Sequence, residues 1–364
     1  GNMRDAEAAI GNTVTLFMAV SLGFTAVLVA AVRPLVGLIG VPAEAVPGTV
    51  QYLTICFIGI PFITAYNIIS SVFRGLGDSK SPMYFIAVAC AANIALDILF
   101  IGPMALGPVG AALGTTLSQT LSVIVALFGI RRHKTGLRLS RQNFRPRKGV
   151  LGRILKIGLP VAVQDGCIQV AFIIITIIAN HRGLIDSAAV GIVEKIISAM
   201  FIVPSSMLAT VSALSSQNLG AGKRSRILQS VKAAFAIYLV WWLFAVVYTV
   251  FLGRTTICAI TGSADEVIVS NAMLYLKISL PFIPPMGVLA ILRNMLQGIR
   301  HTVEPLLASA LELIGKVIFA VWLVPVYGYR AVCFCEPTTW VICFFFILIA
   351  VWHCRADLAD RTAA

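Results

Sequence analysis

Ten long apolar segments constrain this chain more than any other feature of its sequence. Each contains about 20 mostly apolar residues, the length that a helix needs to cross a hydrocarbon core about 30 Å thick. Backbone polar groups in lipid must be satisfied within a helix or a closed barrel, and the alternation typical of barrel strands is absent. We therefore predict ten membrane-spanning helices, near 12–32, 49–71, 82–101, 109–130, 154–178, 188–212, 231–252, 267–292, 304–324 and 331–352.

The composition excludes the common soluble classes. Of 364 residues, 59% are hydrophobic and 12% are charged, against about 25% charged in an ordinary soluble domain. An intramembrane enzyme is also disfavoured, because the sequence has no Gly-x-Ser-x-Gly, no His-Glu-x-x-His and no histidine within a predicted span. We expect a multi-pass membrane protein that is not an enzyme, with the lipid bilayer as its first partner.

The net charge of +13 is concentrated in one loop, where 131–156 holds ten basic residues and no acid. If the ten spans alternate, one side of the membrane carries 21 basic residues and the other carries four. This bias predicts that the basic side, which includes both termini, is cytoplasmic. A loop of this kind between spans is a topology signal, so we expect no nucleic-acid partner.

The basic loop also predicts the domain organisation. It separates four spans from six, which gives an N-terminal lobe (1–130), a cytoplasmic linker (131–153) and a C-terminal lobe (154–364). A weak repeat relates the lobes: Arg74-Gly75 with Pro82 recurs as Gln297-Gly298 with Pro305. Duplicated bundles are a mark of transporters. The fold class is therefore all-α, with two helical bundles related by a pseudo-two-fold along the membrane normal.

Cysteine and histidine spacing predicts no zinc site. The eight cysteines lie mostly within apolar segments, without C-x-x-C pairs or a nearby histidine, and the four histidines are far apart in sequence. We interpret the cysteines as small membrane hydrophobes. No metal is expected beyond Na⁺.

Asp97 is the strongest candidate for a functional residue. A carboxylate within a span costs about 2.5–3.5 kcal/mol on insertion scales, so it normally faces the bundle interior and has a partner. Asn93 lies one turn earlier, on the same helix face. A carboxylate beside an amide can hold a proton or supply oxygens to Na⁺. The alternative is a buried, hydrogen-bonded aspartate near the outer interface.

Two further groups of polar residues lie in the C-terminal lobe. Asp165 has Gln164 and Gln169 close by, and these three residues either line a substrate cleft or lie at a solvated helix end. Glu312 and Lys316 are spaced i, i+4 with the acid first, which favours an ion pair. That pair is either structural or part of the cleft.

An ordered series of motifs resembles the multidrug and toxic compound extrusion family. In the first lobe the similar segments are FRGLGDSKSP (73–82), NIALD (93–97) and GPVGAALGTTLSQ (107–119). In the second they are GLP (158–160), SQNLGAG (216–222), RNMLQG (293–298) and EPTTW (336–340). The resemblance implies twelve spans, six in each lobe. Four plus six are present here, so we expect the two preceding helices to be absent.

The resemblance also implies a mechanism and a site. The family's transporters are cation-coupled antiporters that export small organic cations against Na⁺ or H⁺, and no other cofactor is implied. The positions that match its cation site are Asp97, Asn93, Thr115 and Tyr52. A bacterial inner-membrane monomer is expected. The alternatives are a lipid-linked oligosaccharide flippase of the same superfamily, which needs a more cationic cleft, and an inactive remnant.

Overall fold

The protein is described by a computed structural model that covers residues 3–39, 44–132, 140–261 and 266–354. Within these ranges every regular element is a helix, so the predicted all-α class is confirmed. The chain divides into two compact units, Gly1–Leu155 and Lys156–Ala364. Residues 133–139 of the predicted basic linker lie outside the described residues.

The first unit is a bundle of four long helices. α4 packs against both α2 and α3, and α1 packs against α2. The helices are α1 (Met3–Ile39), α2 (Val46–Gly75), α3 (Lys80–Ile101) and α4 (Gly107–Arg132).

Glycines on α4 allow its neighbours to approach closely. A Cβ atom added to Gly129 would lie 2.7 Å from the ring of Phe85 on α3, and one added to Gly110 would lie 3.0 Å from the Cβ of Phe100. Lipid tails are as apolar as leucine, so membrane helices associate through close packing of small residues rather than through a hydrophobic driving force. The contact between α3 and α4 is of this kind.

A buried asparagine holds the described part of the linker against α1. Asn12 is fully buried; its Nδ2 donates to the carbonyl of Asn143 at 3.1 Å, and its Oδ1 accepts from the backbone N–H of Arg147 at 2.7 Å. Thr15 adds a bond to the carbonyl of Phe144 at 2.8 Å. The short 3₁₀ helix Arg141–Phe144 is therefore anchored by side chains of the first span.

The second unit contains most of α5 and eight further helices, several of which are interrupted. α6 and α7 are bent by 50° at Phe201. A 3₁₀ turn, Leu280–Phe282, separates α9 from α10, and a π turn, Phe319–Leu323, separates α11 from α12. The helices are α5 (Lys148–His181), α6 (Leu184–Met200), α7 (Ile202–Gly220), α8 (Arg224–Thr261), α9 (Glu266–Ser279), α10 (Ile283–Gly298), α11 (Val303–Ile318), α12 (Val324–Tyr327) and α13 (Tyr329–His353).

Two adjacent tryptophans on α8 donate to backbone carbonyls at breaks in neighbouring helices. Pro204 lacks the N–H that would bond the carbonyl of Met200, and Trp241 Nε1 donates to that carbonyl at 2.6 Å. At the second break Pro284 cannot donate to the carbonyl of Leu280, which instead accepts from the backbone N–H of Ile283 and from Trp242 Nε1 at 2.9 Å. Helix breaks at membrane depth persist when freed backbone groups find such partners.

The number of spans agrees with the sequence prediction. Among the described residues, nine helical segments are long and apolar enough to cross a membrane, and the bent pair α6–α7 supplies a tenth. Each predicted segment corresponds to one of these. α5 begins at Lys148, inside the predicted linker (131–153), so its first turns contain basic residues and precede the apolar segment.

Candidate functional site

The predicted cation-binding residues lie on α3 in the first unit. Asn93 and Asp97 are half-buried and one turn apart. Asp97 Oδ1 and Asn93 Nδ2 are both buried and have no hydrogen-bond partner. Leaving a buried polar group without a hydrogen bond costs about 1–3 kcal/mol. A ligand that bonds to these two atoms removes that cost, which favours its binding.

α4 brings its backbone against the Asp97 carboxylate. A Cβ added to Gly114 would collide with Asp97 Oδ1, so the absence of a side chain at this position makes room for the carboxylate. The next residue, Thr115, is exposed and donates its hydroxyl to the carbonyl of Ala111 at 3.1 Å. The Thr115 oxygen therefore keeps lone pairs that can accept a hydrogen bond from another group or coordinate a cation.

Tyr52 on α2 is also close to this carboxylate. Its side chain is 37% exposed and interacts electrostatically with Asp97. The structure thus gathers side chains from α2 and α3, with the backbone of α4, around one acid. We name Tyr52, Asn93, Asp97 and Thr115 the N-unit site.

The second unit contains a buried network of charged residues. The predicted pair is present, with Lys316 Nζ 3.5 Å from Glu312 Oε1. Lys316 Nζ also lies 3.3 Å from Oε1 of Glu336 on α13, and Arg293 on α10 donates to Glu312 Oε2 at 3.1 Å. All four residues are more than nine-tenths buried. Buried charges need paired and hydrogen-bonded partners, and this network supplies them across α10, α11 and α13.

Two aromatic residues complete the environment of the network. The hydroxyl of Tyr275, which is buried on α9, donates to Glu336 Oε2 at 3.2 Å. The ring of Phe172 on α5 lies 4.7 Å from Lys316 Nζ, within cation–π range. Lys316 is therefore held by two carboxylates and one ring, and its side chain is only 1% exposed.

A cavity of about 690 Å³ in the second unit opens onto this network. The volume falls within the range of about 300–1,000 Å³ typical of small-molecule sites. Its described lining contains four acids and one basic residue, together with apolar and aromatic side chains such as Phe172 and Trp340. The charged lining residues are Asp165, Glu194, Glu312, Glu336 and Arg293.

The residues predicted for a substrate cleft divide into two groups. Gln164, Asp165 and Glu312 line the cavity, and Gln164 Oε1 accepts from Gln297 Nε2 at 3.0 Å. Gln169 and Lys316 are absent from the lining. Gln169 is exposed on α5, whereas Lys316 acts on the cavity through the two glutamates it pairs with.

Three charged lining residues were not identified as site residues from the sequence. Arg293 and Glu336 occur in the motifs RNMLQG and EPTTW, but their partners are distant in sequence. Glu194 is adjacent to Lys195, and because adjacent helical residues cannot both face one way, the sequence assigns neither to a site. The electrostatic interactions of Glu194 with Glu336 and Lys316 involve residues that are distant in sequence, which no local spacing reveals.

The chain is similar to known membrane transporters. The MatE family profile matches residues 1–99 and 160–322. The probable multidrug resistance protein YpnP of Bacillus subtilis (strain 168) is 34% identical over 215 residues, which cover 59% of this chain and 48% of that protein. The chain therefore spans about half the length of this relative.

Solved structures show the fold at lower identity. An outward-facing multidrug resistance MATE family transporter of the MOP superfamily aligns with a TM-score of 0.85 at 19% identity, covering 98% of this chain and 85% of that chain. A second similar structure is a MOP superfamily transporter from Pyrococcus furiosus, for which a reverse polarity of the binding pocket suggests a different function. It aligns with a TM-score of 0.89 at 19% identity, and the alignment covers 98% of this chain and 80% of that chain.

The profile match includes most of both units, and the described helices are long enough for repeated membrane crossing. The chain is therefore a multi-pass membrane protein that belongs to the MatE family of multidrug and toxic compound extrusion transporters.

Proposed function

We propose that the intact protein is a cation-coupled antiporter that exports organic cations by alternating access. The observation that carries this proposal is the pair of buried, unpartnered polar atoms at Asp97 and Asn93. A transporter must bind and release its coupling ion, so the ligands need to stay together without being neutralised by a permanent partner.

Either coupling ion fits the chemistry of the N-unit site. Na⁺ is a hard cation that takes oxygen ligands, which Asp97, Thr115 and Tyr52 carry. Asn93 can contribute its amide oxygen after a 180° rotation of the amide group, because oxygen and nitrogen are interchangeable in shape. A proton needs only the Asp97 carboxylate, with the Asn93 amide donating to it in the charged state.

The charge of the cavity in the second unit supports an organic cation as the substrate. Of the four carboxylates on the described wall, Glu312 and Glu336 are paired with Arg293 and Lys316, so Asp165 and Glu194 supply the remaining negative charge. The aromatic and aliphatic remainder of the wall suits a bulky apolar body. An organic cation satisfies both requirements. The description of YpnP as a probable multidrug resistance protein supports the same substrate class.

Transport by the full-length protein tests the proposal. It is reconstituted in vesicles, Na⁺ and pH gradients are imposed separately, and efflux of a fluorescent organic cation is followed. Asp97→Asn should abolish gradient-driven efflux while leaving membrane insertion and the size-exclusion profile unchanged. Glu44→Gln, which removes an exposed carboxylate, should retain efflux. Full activity in Asp97→Asn would refute the assignment.

One observation favours a second function. Arg293 lines the cavity, and its Nε is buried without a hydrogen-bond partner, so it could receive a phosphate or carboxylate. A lipid-linked oligosaccharide flippase would use such a donor. If a lipid pyrophosphate inhibits cation efflux by the unchanged protein but not by Arg293→Met, the flippase would be supported over the organic-cation exporter.

We further propose that the protein is a monomer in the bacterial inner membrane, with the linker and both ends of the chain in the cytoplasm. The bias of basic residues supports this orientation. Reporter fusions after Gly222 and after Gly183 should report opposite sides of the membrane, the first cytoplasmic. The same side for both would contradict the topology.

A further inference from the structure

Three side chains with metal-binding atoms meet at one end of the second unit. They are His301 in the turn after α10, Glu304 in the first turn of α11 and Cys354 immediately after α13. His301 Nδ1 lies 3.1 Å from Glu304 Oε1 and 3.4 Å from Cys354 Sγ, and Sγ lies 3.7 Å from the same Oε1. Local spacing could not predict this cluster, because Cys354 lies 50 positions after Glu304.

The three distances match one face of a zinc tetrahedron. Zn²⁺ binds histidine nitrogen at about 2.0–2.1 Å, carboxylate oxygen at about 2.0–2.2 Å and thiolate sulfur at about 2.3 Å. At tetrahedral angles these bond lengths place nitrogen and oxygen about 3.4 Å apart, and sulfur about 3.6 Å from either. Each observed separation is within about 0.3 Å of its expected value.

The mixture of donors selects among metals. Mg²⁺ and Ca²⁺ prefer oxygen ligands alone, and soft metals such as Cu(I) prefer sulfur. Zn²⁺ accepts imidazole, thiolate and carboxylate together and is usually four-coordinate, with water able to fill a fourth position. The donor set therefore fits Zn²⁺ best.

The backbone holds His301 toward the other two residues. The preceding residue, Arg300, has φ +72°, a conformation that favours glycine, and the N–H groups of Arg300 and His301 bond the carbonyls of Gln297 and Leu296. This pattern ends α10 tightly and turns the chain directly into the cluster. A non-glycine residue in this conformation persists where the surrounding structure fixes it.

The cluster is open to ions from water. The side chains of His301 and Glu304 are 28% and 29% exposed, and Cys354, although 7% exposed as a residue, lies beyond the last turn of α13. No part of the N-unit site or of the charged network is involved.

We propose that His301, Glu304 and Cys354 form a Zn²⁺ site that clips the turn between α10 and α11 to the end of α13. Binding converts the Cys354 thiol to a thiolate and releases its proton to water, while neutral His301 and ionised Glu304 bind without further proton loss. Without metal, the same three groups are joined by hydrogen bonds. Because the ion binds the folded chain, it stabilises that state by mass action.

Cobalt substitution distinguishes a metal site from a set of hydrogen bonds. The full chain is purified in detergent, freed of metal with a chelator and titrated with Co²⁺. We expect one equivalent to produce intense visible bands typical of tetrahedral Co²⁺ and a near-ultraviolet sulfur-to-cobalt band, both removed by Zn²⁺. Cys354→Ser should lose the near-ultraviolet band, and His301→Gln should lose one-to-one binding.

Matched controls replace the same residue types outside the cluster. Cys258→Ser and His353→Gln should keep the full spectrum, and Zn²⁺ should raise the thermal midpoint of these controls but not of Cys354→Ser. The size-exclusion profile of each variant checks folding separately. A titration without the cobalt bands, or bands that persist in Cys354→Ser, would show hydrogen bonding only and overturn the proposal.

Discussion

The indole N–H of Trp241 donates at 2.6 Å to the carbonyl of Met200, the acceptor that Pro204 leaves without a helical donor. The bend between α6 and α7 is therefore supported from a third helix, α8. A bend supported in this way depends on the proline and the tryptophan together.

Replacing Trp241 with Phe should destabilise the protein by about 1–3 kcal/mol, because a part-buried carbonyl at a helix break loses its donor. Pro204→Ala restores a backbone N–H at the required position, so Trp241→Phe should cost much less in that background. Thermal unfolding in detergent of the two single variants and the double variant measures this coupling. Equal effects of Trp241→Phe in both backgrounds would show that the indole and the proline act independently.

Lys316→Met should destabilise the second unit by about 3–5 kcal/mol, the usual cost of removing one partner from a buried ion pair. It leaves Glu312 and Glu336 close together without the ammonium group between them. Lys195→Met, at an exposed position on α6, is the matched control and should change the thermal midpoint little. Adding Glu336→Gln to Lys316→Met should recover part of the loss, and a further loss would contradict the pairing.

Gly114→Ala should weaken the coupling ion's binding without unfolding the bundle. The new methyl group collides with Asp97 Oδ1, the mobile end of a side chain, so the carboxylate moves rather than the helix. Gly23→Ala on α1, where an added Cβ meets nothing within 4 Å, is the control. The concentration of Na⁺ or H⁺ that half-activates efflux should rise in Gly114→Ala alone.

Asn12→Ala should release the 3₁₀ helix of the linker from α1. It removes a donor to Asn143 and an acceptor from Arg147, and because both hydrogen bonds are only part-buried the cost should be about 0.5–1.5 kcal/mol for each bond lost. Asn67→Ala, an exposed asparagine that bonds only within its own helix, should be nearly neutral. Protease cleavage near residues 140–147 should become faster in Asn12→Ala, and unchanged cleavage would argue against the anchoring role.

Much of the fold could be predicted because hydrocarbon thickness fixes helix length, so each apolar segment translates directly into a span. Local spacing also predicted that Asn93 and Asp97 share a face and that Glu312 pairs with Lys316. The interruptions within spans were harder to place, because prolines such as Pro204 and Pro325 lie beside the breaks, whereas Pro61 lies inside the uninterrupted α2.

Partners from distant segments could not be predicted in the same way. Glu336 shares Lys316 with Glu312 only because α13 packs beside α11, and Arg293 reaches Glu312 from α10. The residues of the cavity wall were therefore identified in part: Gln164, Asp165 and Glu312 were expected, whereas Glu194, Arg293 and Glu336 were not. The function of the N-unit site remains a prediction for transport assays to test.

The glycines of α4 determine which positions in the first unit can accept a substitution. At Gly110, Gly114 and Gly129 the neighbouring helix occupies the volume that any larger residue would need. The neighbouring side chains of the N-unit site differ in this respect. One oxygen-bearing side chain there can be exchanged for another of similar size without movement of the backbone. Selection for a different driving ion would then act first on Asn93 or Thr115, while the empty positions on α4 stay fixed.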